Sequence, residues 1–469
     1  MAVTAGTTVA VTAVAAVAVT AVAAVTPGAG ARSTGLGRLR WIDGTGYRNE
    51  RGRMPFGWKE VSILTITTTE PPHYPVATPA GRPFDPMSSA DRDRFADGVH
   101  RVELPTGGWA WLLTRHADVR YALRHCGLSA DVTRPGFPLL RPPVSGFDRI
   151  MPGSFIRMDG AEHARLRRML TPEFMVRHID RIEPLIRRTV DEALTAMLAA
   201  GPPADLVGSF ALPVPSEVIC HLLGVPYADH VFFQQRSRTL LDRTSSAEDV
   251  RSGVADLRDY LTDLVERKLR GASATDDLLG RLAADRVATG ELDAEELVGI
   301  ALLLLIAGHE TTANMLGLST ALLLRDPGRY AALREDPDRA PAVVEELLRF
   351  LSVVRNGLPR LAVEDVEIGG QLIRAGEGVI MALTLANRDA EVFADPDSFD
   401  PDRDAHRHLA FGFGVHQCLG QPLARAELRI ALVELSRRLP GLALVVAESR
   451  LPTRDTSVVF GLDELPVTW

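Results

Sequence analysis

Cys418 lies in the stretch "AFGFGVHQCLG", residues 410–420, among Gly412, Gly414, Gly420, two phenylalanines and His416. Pro422 follows within a helical first turn, and Ala424, Leu428, Ala431 and Leu435 recur at spacings of four, three and four, the pattern of one buried helical face. The cysteine therefore precedes a helix, where unpaired N–H groups and the positive dipole end favour a thiolate and lower the thiol pKa. The glycines keep side chains away from whatever flat or bulky object the sulfur binds.

Zinc and haem are the two objects to weigh. His406, His408, His416 and Cys418 could supply zinc ligands, but their spacing matches no familiar zinc pattern, and the Phe-Gly-Phe-Gly run would have no role. Haem iron takes a single cysteine thiolate, which pushes electron density toward O–O cleavage, and its propionates require cationic donors. Candidates are His163 and Arg167, at i and i+4 in "EHARLRRML", with Arg360 after a turn and His416 beside the cysteine. Each of these is also readable as an ordinary surface or capping charge.

A second unusual stretch is "AGHETT", residues 307–312. Asp293 and Glu296 make an N-terminal capping pattern, and apolar residues run on to Leu324 before "RDP". About 31 residues of helix, roughly 46 Å, cross the whole domain. In its middle, Gly308, His309, Glu310, Thr311 and Thr312 interrupt the apolar pattern. This is either a kink or small-residue crossing, or a groove where a ligand meets an acid and an alcohol that handle protons.

The elements that must position these groups are mainly helical. "HRVELPTGGWAWLLTR" alternates around Gly107-Gly108 as a hairpin does, and "VEIGGQLIRAGEGVIM" gives two short strands around Gly369-Gly370. Helical patterns dominate from Ala117 almost to Pro440. Ser129–Phe155, rich in proline and glycine, reads as a long functional loop. The fold class expected is mainly α with small β-sheets (α+β). The first 70 residues open on an Ala/Val/Thr run without charge. They read as a low-complexity extension rather than as a membrane span or a signal peptide, ahead of one domain over 71–469.

Composition narrows the partners. The 469-residue chain is 46% hydrophobic, enough for a large core, and its net charge of −8 gives no general basic field, so no nucleic-acid partner is expected. Three widely separated cysteines form no disulfide framework and fit a reducing, cytoplasmic setting.

Residues from about 72 to 469 resemble the cytochrome P-450 superfamily. "FGFGVHQCLG" is similar to the family's haem-binding loop, and the resemblance implies haem b with Cys418 as the iron's thiolate ligand. "AGHETT" resembles the long central distal helix, which implies Glu310 and Thr311 as the acid and alcohol of dioxygen activation. The implied cofactor contacts are His163, Arg167, Arg360 and His416 at the propionates, with Phe411, Gly412, Gly420, Ala307 and Gly308 around the ring. "EELLR" resembles the Glu-x-x-Arg motif, implying a structural ion pair between Glu346 and Arg349. The family's Pro-x-Arg-Phe segment appears as "PDSF", with Ser398 where an arginine completes the network; Arg403 is a candidate substitute.

"LSADVTRPGFP" and "SFIRMDGAEHARLRRML" are similar to soluble actinomycete monooxygenases. That resemblance implies O2-dependent hydroxylation or epoxidation of an apolar small molecule of the terpenoid, steroid, macrolide or xenobiotic class, in secondary metabolism. Electrons would come from NAD(P)H through a ferredoxin reductase and a ferredoxin. A non-catalytic haem protein, binding a ligand or acting as a scaffold, is the alternative. The pocket is expected from residues 129–155, 222–241, 303–311 and "SVVRNGLP", and a basic docking patch from Arg165, Arg168, Arg425 and Arg429.

Overall fold

The alternating stretch around Gly107-Gly108 forms a hairpin of β1 (Val99–Glu103) and β2 (Trp109–Leu113), with Val99 opposite Leu113 and Glu103 opposite Trp109. Both turn glycines hold positive φ, +80° and +77°, a region that a Cβ disfavours. Three further strands complete the sheet: β3 (Leu128–Ser129), β4 (Leu358–Ala362) and β5 (Gly378–Met381), in the order β1-β2-β5-β4-β3. The β2–β5 pair is parallel and the others antiparallel; Arg360 of β4 stands opposite Val379 of β5. The hairpin expected around Gly369-Gly370 pairs Val366–Ile368 with Gln371–Ile373.

Helices make up most of the rest. Those that carry or support the chemistry are α1 (His116–Arg124), α2 (Gly160–Leu170), α3 (Val176–Ala200), α4 (Pro213–Leu223), α5 (His230–Leu241), α6 (Ala247–Arg270), α7 (Ala294–Leu323), α8 (Pro327–Glu335), α9 (Ala340–Leu351) and α10 (Gln421–Arg438). This computed structural model describes residues 71–96, 98–142, 151–271 and 276–469, and Thr69–Trp469 forms one compact unit. The extension expected over residues 1–70, and residues 143–150 of the expected loop, lie outside the described residues.

The capping pattern before α7 folds as read. Asp293 Oδ1 accepts the Glu296 N–H at 2.7 Å, and Glu296 Oε2 accepts the Asp293 N–H at 3.1 Å. The helix then runs 30 residues without a break, packed against α4, α6, α9 and α10. By length and hydropathy it is the one helix among the described residues that could cross a membrane, yet 67% of its apolar window is buried inside the fold. A helix apolar all round is a core helix when partners cover it.

Gly308 belongs to this packing. A Cβ there would come 2.7 Å from Ile219 Cδ1 of α4, so the missing side chain lets two helices cross closely. Ile219 thus occupies one side of Gly308, which stays partly exposed beside Ala307.

Two features dominate the energetics beneath α7. Glu346 and Arg349 are both fully buried on α9 and bonded twice, Nε to Oε2 at 2.6 Å and Nη2 to Oε1 at 2.7 Å. Arg349 also donates to the carbonyls of Asn387 (2.8 Å), Pro396 (2.9 Å) and Ser398 (3.1 Å). Thus Ser398 contributes its backbone, and Arg403 supplies the missing cation, its Nε lying 3.3 Å from Glu346 Oε1. The second feature is Glu427 of α10, buried beside Thr312 of α7, with neither carboxyl oxygen in a well-formed hydrogen bond among the described residues. Burial pushes its pKa up to about 8, opposed only by the Thr312 hydroxyl.

Arg349→Ala is expected to cost roughly 3–5 kcal/mol, because it strands a buried carboxylate; Arg403→Ala is expected to cost less, since Arg349 still pairs Glu346. Urea unfolding of both variants gives the comparison. For Glu427 the folded pKa lies above the ordinary 4.5, so the unfolded chain ionises first and stability is lost as pH rises from 4.5 toward about 8. Glu427→Gln is therefore expected to gain on the parent by about a few kcal/mol as pH is raised through this window. Equal differences at pH 5.5 and 8 would contradict it.

Candidate active site around Cys418

The residues 405–420 form a chain of tight turns. His408 N–H donates to Ala405 O at 2.9 Å, Gly412 N–H to Leu409 O at 2.8 Å, and Cys418 N–H to Phe411 O at 2.8 Å. Gly412 and Gly414 hold φ of +68° and +77°. At Gly414 a Cβ would lie 2.8 Å from Leu123 O, so this glycine admits the backbone of α1 and not a bound group. Gly420, the residue before α10, faces open space.

Cys418 is exposed, two residues before Gly420 and the start of α10. Its thiol pKa is nevertheless raised, because burial by the surrounding protein outweighs the Gly420 and Gln421 N–H groups and the charges of Arg167 and Arg425. The N–H groups at the helix terminus and the two arginine charges pull toward the thiolate, the direction expected.

Beside the loop, α2 and β4 bring together most of the expected cationic set. The rings of His163 and His416 lie 4.1 Å apart, centroid to centroid. His163 is buried, and its Nε2 has no hydrogen-bond partner. Burial, then the charges of His416 and Arg167, hold its pKa down to about 4. Arg360 is buried, and among the described residues its guanidinium donates to the neighbouring Pro359 O at 2.8 Å. Its pKa falls to about 10 through burial and the adjacent charge of Arg157. Arg167 donates to Gln417 O, which joins α2 to the cysteine loop.

Arg157 and Asp159 escaped the sequence reading. Arg157 has its pKa lowered by burial, with Arg141 nearby and no carboxylate acting on it. Asp159 occupies the residue before α2 but leaves the helix uncapped. It accepts from Ser129 Oγ (2.5 Å) and Ala130 N (3.0 Å) and faces His416 Nε2 at 3.7 Å. Burial alone would raise its carboxyl, but these partners hold it well below the usual range. An aspartate at an N-cap position is the ordinary signal of a cap, which conceals this second use.

The balance of charge tests the expected cofactor. His163, His416, Arg157, Arg167 and Arg360 converge with Asp159 as the carboxylate recorded among them, and one buried imidazole nitrogen is unpartnered. Two propionates would supply what this cluster lacks, so the residues present fit haem.

On α7 the two proton-handling candidates part company. Ala307 is exposed and Gly308 and Thr311 partly so, on a stripe with the partly buried Leu303 and Ile306, while His309, Glu310 and Thr312 are buried. The Thr311 hydroxyl donates to Ala307 O at 2.9 Å without breaking the helix. Glu310 points elsewhere and is buried. Its Oε2 meets Arg454 Nη1 at 3.3 Å, and Arg454 Nε reaches Asp463, whose side chain is 56% exposed, at 3.0 Å. Glu310 Oε1 lies 3.7 Å from His309 Nε2, and neither atom is hydrogen-bonded.

The expected docking patch is largely committed to other contacts. Arg165 bonds Glu162, Glu296 and Glu291 O; Arg425 bonds Glu345, and Arg429 bonds Glu183. Arg168 alone of the four is exposed, the others being partly buried.

The family model described as cytochrome P450 matches residues 231–439. The chain is 48% identical over 410 residues to cytochrome P450-SU2 of Streptomyces griseolus, covering 87% of this chain and 100% of that protein. It is likewise 48% identical to the pentalenic acid synthase of Streptomyces avermitilis, over 84% of this chain and 98% of the relative. The crystal structure of mycinamicin VIII C21 methyl hydroxylase from Micromonospora griseorubida, bound to mycinamicin VIII, superposes with a TM-score of 0.79 at 38% identity, over 85% of this chain and 100% of that one. With its fold, its glycine-lined cysteine loop and relatives matched end to end, the chain belongs to the cytochrome P450 family, whose members are monooxygenases carrying cysteine-thiolate-ligated haem b.

Proposed function

We propose that this monooxygenase uses Cys418 as the haem ligand and oxidises an apolar secondary metabolite of the terpenoid, macrolide or steroid class. The observation that carries the reading is an accessible thiol beside buried cations that outnumber their carboxylates. His163, Arg157, Arg360 and His416 would hold the propionates, with Arg167 tying α2 to the loop. Haem, when bound there, supplies dioxygen activation and insertion of one oxygen atom into the substrate.

The chain's own groups prepare that chemistry. Leu303, Ile306 and Ala307 offer apolar contact along the open stripe of α7, and Thr311 is the hydroxyl beside them. Glu310, held in place by Arg454, is the buried acid of the pair, and a proton bound for the stripe would pass from its carboxyl to Thr311 through solvent, Arg454 orienting the carboxyl without relaying a proton. Arg141 Nη1 donates to Leu240 O at 3.0 Å, tying the described part of the loop before α2 to α5 at the border of the pocket. The relatives named pentalenic acid synthase and mycinamicin VIII C21 methyl hydroxylase support a secondary metabolite as the substrate. The enzyme works in the cytoplasm and takes electrons from an acidic ferredoxin, served by its reductase. That ferredoxin docks near Arg168 by charge steering.

Cys418→Ser is expected to abolish the thiolate-type spectrum of the reduced carbon monoxide complex and all turnover, since serine offers no anion at neutral pH. Retained turnover would overturn the assignment. Thr311→Ala is expected to keep substrate-induced spectral shifts while NAD(P)H oxidation yields peroxide in place of oxygenated product. Product and peroxide yields per NAD(P)H, measured with a surrogate ferredoxin, distinguish the two outcomes.

A further inference from the structure

Two glutamates stand side by side on α9 and serve different networks. Glu346 pairs Arg349, whereas Glu345 turns toward the segment that carries the cysteine. Its carboxylate, 6% exposed, accepts from Arg425 Nε at 2.6 Å and Nη2 at 3.0 Å, and from His408 Nε2 at 3.1 Å. His408 is 2% exposed and accepts the Ala410 N–H at Nδ1, 3.1 Å. An N–H donor at Nδ1 leaves the ring proton on Nε2, where it is donated to Glu345. Burial alone would raise the Glu345 carboxyl, yet these hydrogen bonds keep it ionised, near a pKa of about 2.

Arg425 spans the remaining distance to the sulfur. Its Nη1 donates to Gln421 Oε1 at 2.8 Å, and its guanidinium lies 4.7 Å over the Phe411 ring. The Phe411 carbonyl accepts the Cys418 N–H. The cation is close enough to favour negative charge on Cys418. Glu345 is therefore the counter-charge to the cation nearest the ligand loop on the α10 side, and His408 fixes its orientation.

We propose that Glu345 and His408 are positioning residues that set, through Arg425, the electrostatic potential at the Cys418 sulfur and hence the reduction potential of the haem. The proposal rests on Cys418 being the iron ligand. Cancelling the Glu345 charge leaves Arg425 uncompensated, which favours the added electron and raises the potential. Cancelling the Arg425 charge lowers it, and cancelling both leaves the potential near the parent's, because the two act as one pair.

The test is a reductive titration of the full-length, haem-loaded protein, without substrate, for the parent, Glu345→Gln, Arg425→Gln and the double variant. Each is first checked for the thiolate-type carbon monoxide band. The expected result is a positive shift for Glu345→Gln, a negative shift for Arg425→Gln and near-cancellation in the double variant. Shifts of the same sign, or none, overturn the proposal while leaving Cys418 as ligand; absence of the band in the parent overturns both. If Glu345→Gln fails to hold haem, Arg425→Lys decides: a potential near the parent's, with Arg425→Gln lowered, supports control by charge. Equal potentials for Lys and Gln overturn it. His408→Gln, which can accept from Ala410 and donate to Glu345, is expected to retain the parent potential, whereas His408→Leu shifts it; identical potentials remove His408 from the device.

Discussion

The fully buried pair of Glu346 and Arg349 is the constraint from which the cysteine loop takes its position. Taking two charges out of water is expensive, so the pair persists only where further donors and acceptors complete both shells. Those partners are the backbone of residues 387–400 and Arg403. Asn387, whose carbonyl accepts from Arg349, also accepts the Leu409 N–H at its side-chain oxygen, 2.6 Å, and donates to Ser352 Oγ at 2.7 Å. The ion pair thus fixes a polar frame for residues 387–409, and the turns of 410–418 begin from its end.

A second arrangement grows on that frame. The chain carries a net charge of −8, yet it gathers histidines and arginines on one side of the cysteine loop with few acids among them. Such a cluster is costly by itself; burial lowers the pKa values of His163, Arg157 and Arg360. Stability given up locally in this way becomes affinity for an anionic group that restores the balance.

Much of this was legible in the sequence because it depends on local pattern. Capping residues at 293 and 296, paired glycines at 107–108 and 369–370, and a proline in the first turn of α10 act over a few residues, and all appear where the pattern puts them. Contacts between distant segments were not legible. Gly308 reads as a groove or as a crossing, and only the fold places Ile219 against one side of it; Gly414 reads as an open loop until α1 is seen against it. Arginines are the hardest case, since a long cationic side chain of any helix looks solvated in sequence. Arg165, Arg425 and Arg429 each found a carboxylate at least 80 residues away in the chain, apart from the local Glu162 contact. Arg403 was identifiable only as a candidate, and its contact with Glu346 rests on the turn at residues 395–400.

The membrane-like hydropathy of α7 also has a consequence for how the protein is made. Its covering helix α10 begins at residue 421, whereas α7 ends at residue 323. At about 5–20 residues per second, a ribosome takes roughly 5–20 s to add the roughly 100 residues between them. During that interval the α10-facing side of a long apolar helix has no partner from its own chain. A short-lived hydrophobic surface of this kind attracts chaperones, and insertion machinery that recognises apolar helices. The capping box that starts α7 and the early packing of α4 and α6, both synthesised before it, are the means by which the nascent chain commits this helix to its own interior.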